Sequence, residues 1–194
     1  MGSSEASPGQ PPPIVLASTS PQRSAILTQL CIPFDVVAPD YEEVDGTSPL
    51  ERATGKARSV DGRGLPVLGV DTEVLFESEL LGKPVNAAGA ERMLQALSGR
   101  THEVISGLCL RTAAWEERGE ASTLVTFRTL TPRDVARYVA ANEWEGRAGA
   151  YAIQGLGAAL VERIEGDYLN IVGLPGALLV GLLARRFPAV YGFG

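Results

Sequence analysis

Histidine is nearly absent from this 194-residue chain: there is one, His102, which excludes a multi-histidine zinc site and an HExxH helix. Cysteine is almost as scarce. Cys31 and Cys109 lie far apart in apolar surroundings, LCIPF and GLCLR, with no zinc-ligand spacing, and both read as buried reduced thiols. Neither a GxSxG elbow nor a GxGxxG loop occurs, which removes the signatures of serine hydrolases and of dinucleotide binding. Basic charge is in deficit, with 17 Lys and Arg against 23 Asp and Glu and a formal net charge of −6, so no partnership with duplex nucleic acid is expected. A small anionic substrate would need a local cluster of cations or a bound divalent metal. Long hydrophobic runs are missing too. The apolar stretch from Leu174 to Leu183 contains Pro175 and two glycines and is about half as long as a bilayer crossing requires, so no membrane partnership is expected.

What remains is enough for one well-buried core, since 45% of the residues are hydrophobic. Residues 1–13, MGSSEASPGQPPP, are rich in Ser, Pro and Gly without an apolar or Arg-rich targeting pattern, and read as a disordered tail on a cytoplasmic protein. Residues 14–194 read as a single domain. Its elements begin with a short apolar strand from Ile14 to Ala17, the turn Ser18-Thr19-Ser20-Pro21, and a helix carrying Ile26, Leu27 and Leu30. A strand at Phe34 to Val37 and a helix from Ser48-Pro49 to about Val60 follow. Val67 to Val70 form a buried strand expected to end at Asp71, with Val74 to Leu81 returning as another. Asn86 caps a helix with Met93, Leu94 and Leu97 on one face. Thr101 to Thr112 and Ser122 to Thr129 alternate as strands around a polar connection, AAWEERGEA. A helix opening at Thr131-Pro132, an ordered Gly-rich loop from Gly146 to Gly157, a strand from Ala158 to Ile164 and a helix from Pro175 to Phe187 complete the chain. Strands and helices that mostly alternate around one central hairpin indicate an α/β fold with a mixed twisted sheet.

Five places can carry chemistry. The turn Ser18-Thr19-Ser20-Pro21-Gln22-Arg23 sits at a strand-to-helix junction, where backbone N–H groups, hydroxyls and Arg23 can hold a phosphate, although alone it is equally an ordinary helix N-cap. It is not a Walker A loop, and around Gly55-Lys56 both Leu50 and Ala57 break that pattern. Asp71 closes an apolar strand, the end at which open α/β sheets bind ligands, yet an aspartate there also caps turns. Glu42, Glu43 and Asp45 could supply an oxygen ligand to Mg²⁺ or Mn²⁺, or form a solvated loop. Lys56 and Lys83 could clamp phosphate oxygens or be surface charge. In GAYAIQGLG, Tyr151 offers a ring and Gln154 a paired donor and acceptor for a base edge, if the segment is more than a connector.

The order and wording of LASTSPQR, GVDTEV, LGKP, MLQALSGRTHEV, RAGAYAIQGLGA and GDYLNIVGLP resemble the Maf family of nucleotide pyrophosphatases over nearly all of residues 14–187. The resemblance implies a two-lobed α/β fold with a central substrate cleft, and hydrolysis of the α–β phosphoanhydride of nucleoside triphosphates with a divalent cation. It implies Asp71 as general base, with Glu43 as a metal ligand and Asp71 sharing the ion. Ser18, Ser20, Gln22, Arg23, Lys56 and Lys83 would surround the phosphates. Thr72 and Gln154 match the branch acting on dTTP and UTP, whereas a branch acting on methylated GTP carries glutamate at the Gln154 position. Two departures stand out: Gln22 where the family wording is SPRR, and Arg147 where lysine is common. The first loses a charge at a position tied to specificity, leaving open CTP or modified pyrimidine nucleotides, and an enzyme of the same fold acting on non-canonical purine triphosphates is a separate alternative. The family is also linked to septum formation, so a nucleotide-binding regulator of division with little turnover is the competing reading. A monomer or homodimer is expected. His102 reads as structural.

Overall fold

The computed structural model describes residues 11–193. Most of the expected tail, residues 1–10, therefore lies outside the described residues. The elements are β1 (Ile14–Ala17), α1 (Pro21–Gln29), β2 (Phe34–Val37), α2 (Pro49–Arg58), β3 (Val67–Phe76), β4 (Glu79–Leu80), α3 (Ala87–Leu97), β5 (Thr101–Arg111), β6 (Glu116–Phe127), α4 (Pro132–Ala140), β7 (Val161–Glu165), α5 (Tyr168–Val172) and α6 (Gly176–Arg186). Seven strands form one sheet in the order β2-β1-β3-β5-β6-β7, with β4 paired to β3. The sheet is mixed: β1 runs parallel to β2 and β3, whereas β4 is antiparallel to β3 and β7 to β6. Among the described residues no helix is long and apolar enough to cross a membrane.

The chain folds as two compact units. The first takes the residues up to Asp71, then Gly107–Glu120 and the stretch from Gly176; the second takes Thr72–Ser106 and Ala121–Pro175. In the first, all four residues of β1 are buried, and Val15, Ala17, Val67 and Cys109 pack with Ala57 and Val60. In the second, Val74 and Phe76 of β3 join Leu94, Leu97, Val125, Phe127, Tyr138 and Tyr151 in a larger core.

Four sequence expectations change. Asp71 does not end its strand: β3 continues through Thr72 and Glu73 to Phe76, because Val74 and Phe76 keep the period of two and are buried. The expected return strand reduces to Glu79–Leu80. Most of AAWEERGEA is strand, not connection, and the turn shrinks to Thr112–Trp115, closed by a 2.9 Å bond from the Thr112 N–H to the Trp115 carbonyl. Its polar residues are satisfied in place, Glu116 by Arg58, Arg111 and Arg118, and Glu117 by Arg185 and Arg186. Cys31 is exposed, contrary to the expectation of two buried thiols, because it follows α1 with φ 55, in the left-handed turn that ends the helix. Cys109 is buried, and desolvation pushes its thiol up to about 11, leaving it inert.

Candidate active site

The site in the first unit begins with a helix laid unusually close to a strand. A Cβ built on Gly69 would lie 2.1 Å from the Ala53 carbonyl and 2.8 Å from the Ala57 Cβ, so only glycine lets α2 approach β3 this far. Gly69 and Asp71 are two apart in the strand and share a face. The helix packed on Gly69 therefore brings its own side chains to Asp71. Ser48 starts α2 through a capping box with Glu51, and Pro49 follows at the first helical position, which fixes the helix start.

Arg52 and Lys56, one turn apart on α2, both bond Asp71. The Arg52 Nε donates to Asp71 Oδ2 at 2.6 Å and the Lys56 Nζ to Asp71 Oδ1 at 2.5 Å. These side chains are only 12% exposed for each cation and 10% for the aspartate, so the pairs are shielded from water. The Arg52 Nη1 also donates to the carbonyl of Thr47, just before the helix. Lys56 has a second carboxylate: its Nζ donates to Glu43 Oε1 at 2.7 Å. Two residues before Glu43, the Tyr41 ring packs on α2 in the space a side chain at Gly55 would need, with Tyr41 Cε2 2.1 Å from a Cβ built there.

The turn after β1 supplies the next layer. Ser18 is buried, and its hydroxyl accepts from the Ser20 N–H at 3.2 Å and from Arg23 Nη1 at 2.9 Å. Desolvation pulls the Arg23 guanidinium below its ordinary range, while the charges of Asp71 and Glu43 pull it back up, so Arg23 lies in the field of both acids. Ser20 starts α1 without a side-chain cap; its hydroxyl donates instead to Gln22 Oε1 at 3.1 Å. Gln22 is thus held by its neighbour.

Thr72, Lys83 and Gln154 belong to the second unit. Thr72 Oγ1 is 2.7 Å from Ser106 Oγ and reaches the Gly173 carbonyl at 3.4 Å. Lys83 is exposed in the turn after β4, where the Gly149 N–H bonds the carbonyls of Leu81 and Gly82 at 3.2 Å each. Gln154 is exposed in the Gly-rich segment, which is ordered as expected: Ala152 N–H donates to the Tyr138 hydroxyl at 2.9 Å, and Glu143 accepts from Leu156 N–H at 3.0 Å. Tyr151 offers no ring to a ligand. It is buried, edge-on to Phe127 with centroids 4.9 Å apart, and its hydroxyl meets His102 Nε2 at 2.8 Å.

Arg52 was missed by sequence reasoning. Its spacing of four from Lys56 was the available signal, but a charged pair on a helix usually marks a solvated face. Among the described residues no group of three or more His, Cys, Asp or Glu converges on a metal site. Glu43 and Asp71 nevertheless converge on one cation, the Lys56 ammonium. Two carboxylate oxygen donors fit Mg²⁺, which is ordinarily held by one or two carboxylates together with substrate phosphates.

A buried carboxylate at the end of the parallel segment of an α/β sheet, held by Arg52 and Lys56 beside a serine-rich strand-to-helix turn that carries Arg23, defines an anion-handling α/β protein. The family follows from comparison: residues 13–186 match the family described as Maf-like protein, and the chain belongs to the Maf family. It is 44% identical over 180 residues to a protein of Gloeobacter violaceus named dTTP/UTP pyrophosphatase, covering 89% of this chain and 95% of that one. A protein of Symbiobacterium thermophilum with the same name is 45% identical over 180 residues, covering 89% and 93%. One from Deinococcus radiodurans, again so named, is 42% identical over 190 residues, covering 94% and 96%.

Proposed function

We propose that this protein hydrolyses nucleoside triphosphates to the monophosphate and pyrophosphate, with dTTP and UTP as the preferred substrates in the cytoplasmic nucleotide pool. The observation that carries the reading is the Asp71 carboxylate, buried yet held by Arg52 and Lys56 next to Glu43. Such a cluster is suited to a triphosphate, whose oxygens can take over the Lys56 ammonium that Asp71 and Glu43 now share. The names of the relatives support the same reaction and the same two substrates.

In this mechanism water adds to the α-phosphorus, the bond from that phosphorus to the bridging oxygen breaks, and pyrophosphate leaves. Asp71 orients the water and takes its proton. A carboxylate is a weak base, so positioning and charge neutralisation carry most of the work. Arg23 and Lys56 neutralise phosphate oxygens, with the Ser18 and Ser20 hydroxyls and the N-terminus of α1 as further donors. Gln22 sits in the same turn and contacts the nucleotide without adding charge. Lys83 grips phosphate, and Thr72 and Gln154 contact the base. Glu43 and Asp71 would hold a divalent cation, which when bound supplies positive charge to the leaving pyrophosphate.

The test is release of pyrophosphate and monophosphate from dTTP, UTP, CTP, methylated GTP and ITP with Mg²⁺ or Mn²⁺, beside an Asp71→Asn variant. Turnover of dTTP and UTP is expected, falling by about a hundredfold or more in the variant. Nucleotide binding without turnover would replace the reading with that of a binding protein, and a preference for ITP would overturn the choice of base.

A further inference from the structure

We propose that the two cations on Asp71 have different duties: Arg52 is the fixed positioning residue for its Oδ2, and Lys56 is the exchangeable partner that releases its Oδ1 to the reaction. This inference rests on the pyrophosphatase reading and assigns a role to a residue outside the set expected from the sequence.

The argument starts from how each cation is held. Arg52 is tethered at both ends of its guanidinium, with Nε on Asp71 Oδ2 and Nη1 on the Thr47 carbonyl. Thr47 immediately precedes the capping box of α2, so the acceptor belongs to a fixed backbone turn. A planar guanidinium with two partners in different directions cannot leave one without straining the other. Lys56 is the opposite case. Its ammonium is a point charge on a flexible stem, with donors that rotate freely, and it is divided between Asp71 Oδ1 and the Glu43 carboxylate, whose side chain is 61% exposed. An incoming polyphosphate offers that ammonium charged acceptors in place of the exposed Glu43 carboxylate. When Lys56 turns to the phosphates, Oδ1 loses its partner and becomes the oxygen that faces the reacting water, while Oδ2 stays fixed on Arg52. Without Arg52 the carboxylate would rotate to follow the lysine, and the geometry for attack would be lost.

The experiment compares steady-state kinetics of Arg52→Lys, Arg52→Gln and Arg52→Ala with wild type and Lys56→Gln, using dTTP with Mg²⁺. The Arg52→Gln variant should lose about a hundredfold in kcat, the order a misplaced reacting group costs, while its KM changes far less. Lys56→Gln should raise KM as well, because it removes a phosphate contact. Arg52→Lys should fail to restore kcat, since a lysine keeps the charge but not the double tether. Guanidinium ion at millimolar concentration should restore part of kcat to Arg52→Ala and none to Asp71→Asn. An Arg52→Gln enzyme with wild-type kcat, or one in which only KM rises, would overturn the assignment. A cycle of melting temperatures over Arg52→Gln, Asp71→Asn and the double variant reads the contact without activity: the two losses should fall short of adding, and additive losses would also overturn it. A wild-type enzyme that turns over no triphosphate would sink the pyrophosphatase reading, and the melting cycle would still decide whether Arg52 holds Asp71.

Discussion

The hydroxyls of Thr72 and Ser106 lie 2.7 Å apart, and Ser106 is fully buried. Thr72 Oγ1 also points at the Gly173 carbonyl at 3.4 Å, so the arrangement that satisfies all three has Ser106 donating to Thr72 and Thr72 donating to Gly173. This chain fixes the rotamer of the residue that the family resemblance ties to pyrimidine substrates. Ser106→Ala should therefore cost about 1 kcal/mol of stability, the usual net value of one hydrogen bond, and reduce discrimination between dTTP and ITP more than it reduces turnover. The kcat/KM ratio for the two nucleotides checks it. An unchanged ratio would detach Ser106 from specificity.

Gly69 makes a stronger demand. Any side chain there meets the Ala53 carbonyl, which is backbone and cannot rotate away. Gly69→Ala should push α2 off β3, cost about 1–3 kcal/mol as overpacked positions do, and reduce turnover out of proportion, because Arg52 and Lys56 move with the helix. Urea denaturation beside dTTP kinetics tests both halves. Activity retained at full level in a folded Gly69→Ala variant would show that the spacing of helix and strand does not set the site.

This dependence marks where sequence reading succeeds and where it stops. Asp71 was legible because an uninterrupted apolar run, Val67 to Val70, ends in a carboxylate, and buried charge needs a reason. The strand through it runs further than the sequence predicts, since Thr72 and Glu73 resemble a turn and only the burial of Val74 and Phe76 extends the strand. Gly69 and Gly55 were not legible at all. Their role is a tertiary approach of Ala53 and Tyr41, and nothing in a glycine names the atom that will press on it. The polar half of β6 is hidden for a related reason: Glu116 and Glu117 look like loop residues until arginines from distant segments pair with them. Short α5 carries one signal in the sequence, Asp167, which caps it by accepting the Leu169 N–H at 2.8 Å.

His102 predicts a pH dependence of stability. Burial lowers its imidazole from 6.5 to about 4, with Nε2 on the Tyr151 hydroxyl and Nδ1 without a hydrogen-bond partner. The folded protein keeps the ring neutral, while the unfolded chain binds a proton below pH 6.5. The stabilisation is complete above that pH and is lost as the pH falls toward 4. At about 1.4 kcal/mol per pH unit, the loss over this window is on the order of 3 kcal/mol. Replacing the ring by an uncharged one, in His102→Phe, should flatten the difference between urea midpoints at acid and neutral pH relative to wild type. Parallel curves for the two proteins would place the acid sensitivity on other groups.

Glu43 gives the sharpest test of the proposed metal site: among the described residues it pairs with Lys56, so the proposed ligand duty and this pairing oppose each other. As a ligand it should raise affinity for Mg²⁺; as a partner of Lys56 it should hold that ammonium away from phosphate. Removing its charge in Glu43→Gln therefore has separable effects. The Mg²⁺ concentration for half-maximal activity, measured after chelator treatment, should rise by about tenfold or more, a loss that even outer-shell partners of a metal produce. Binding of dTTP without metal should tighten, because Lys56 has lost a competing carboxylate. If the Mg²⁺ requirement stays as in wild type while metal-free nucleotide binding tightens, Glu43 serves only as a counter-charge to Lys56, and the ligand assignment falls to Asp71 alone.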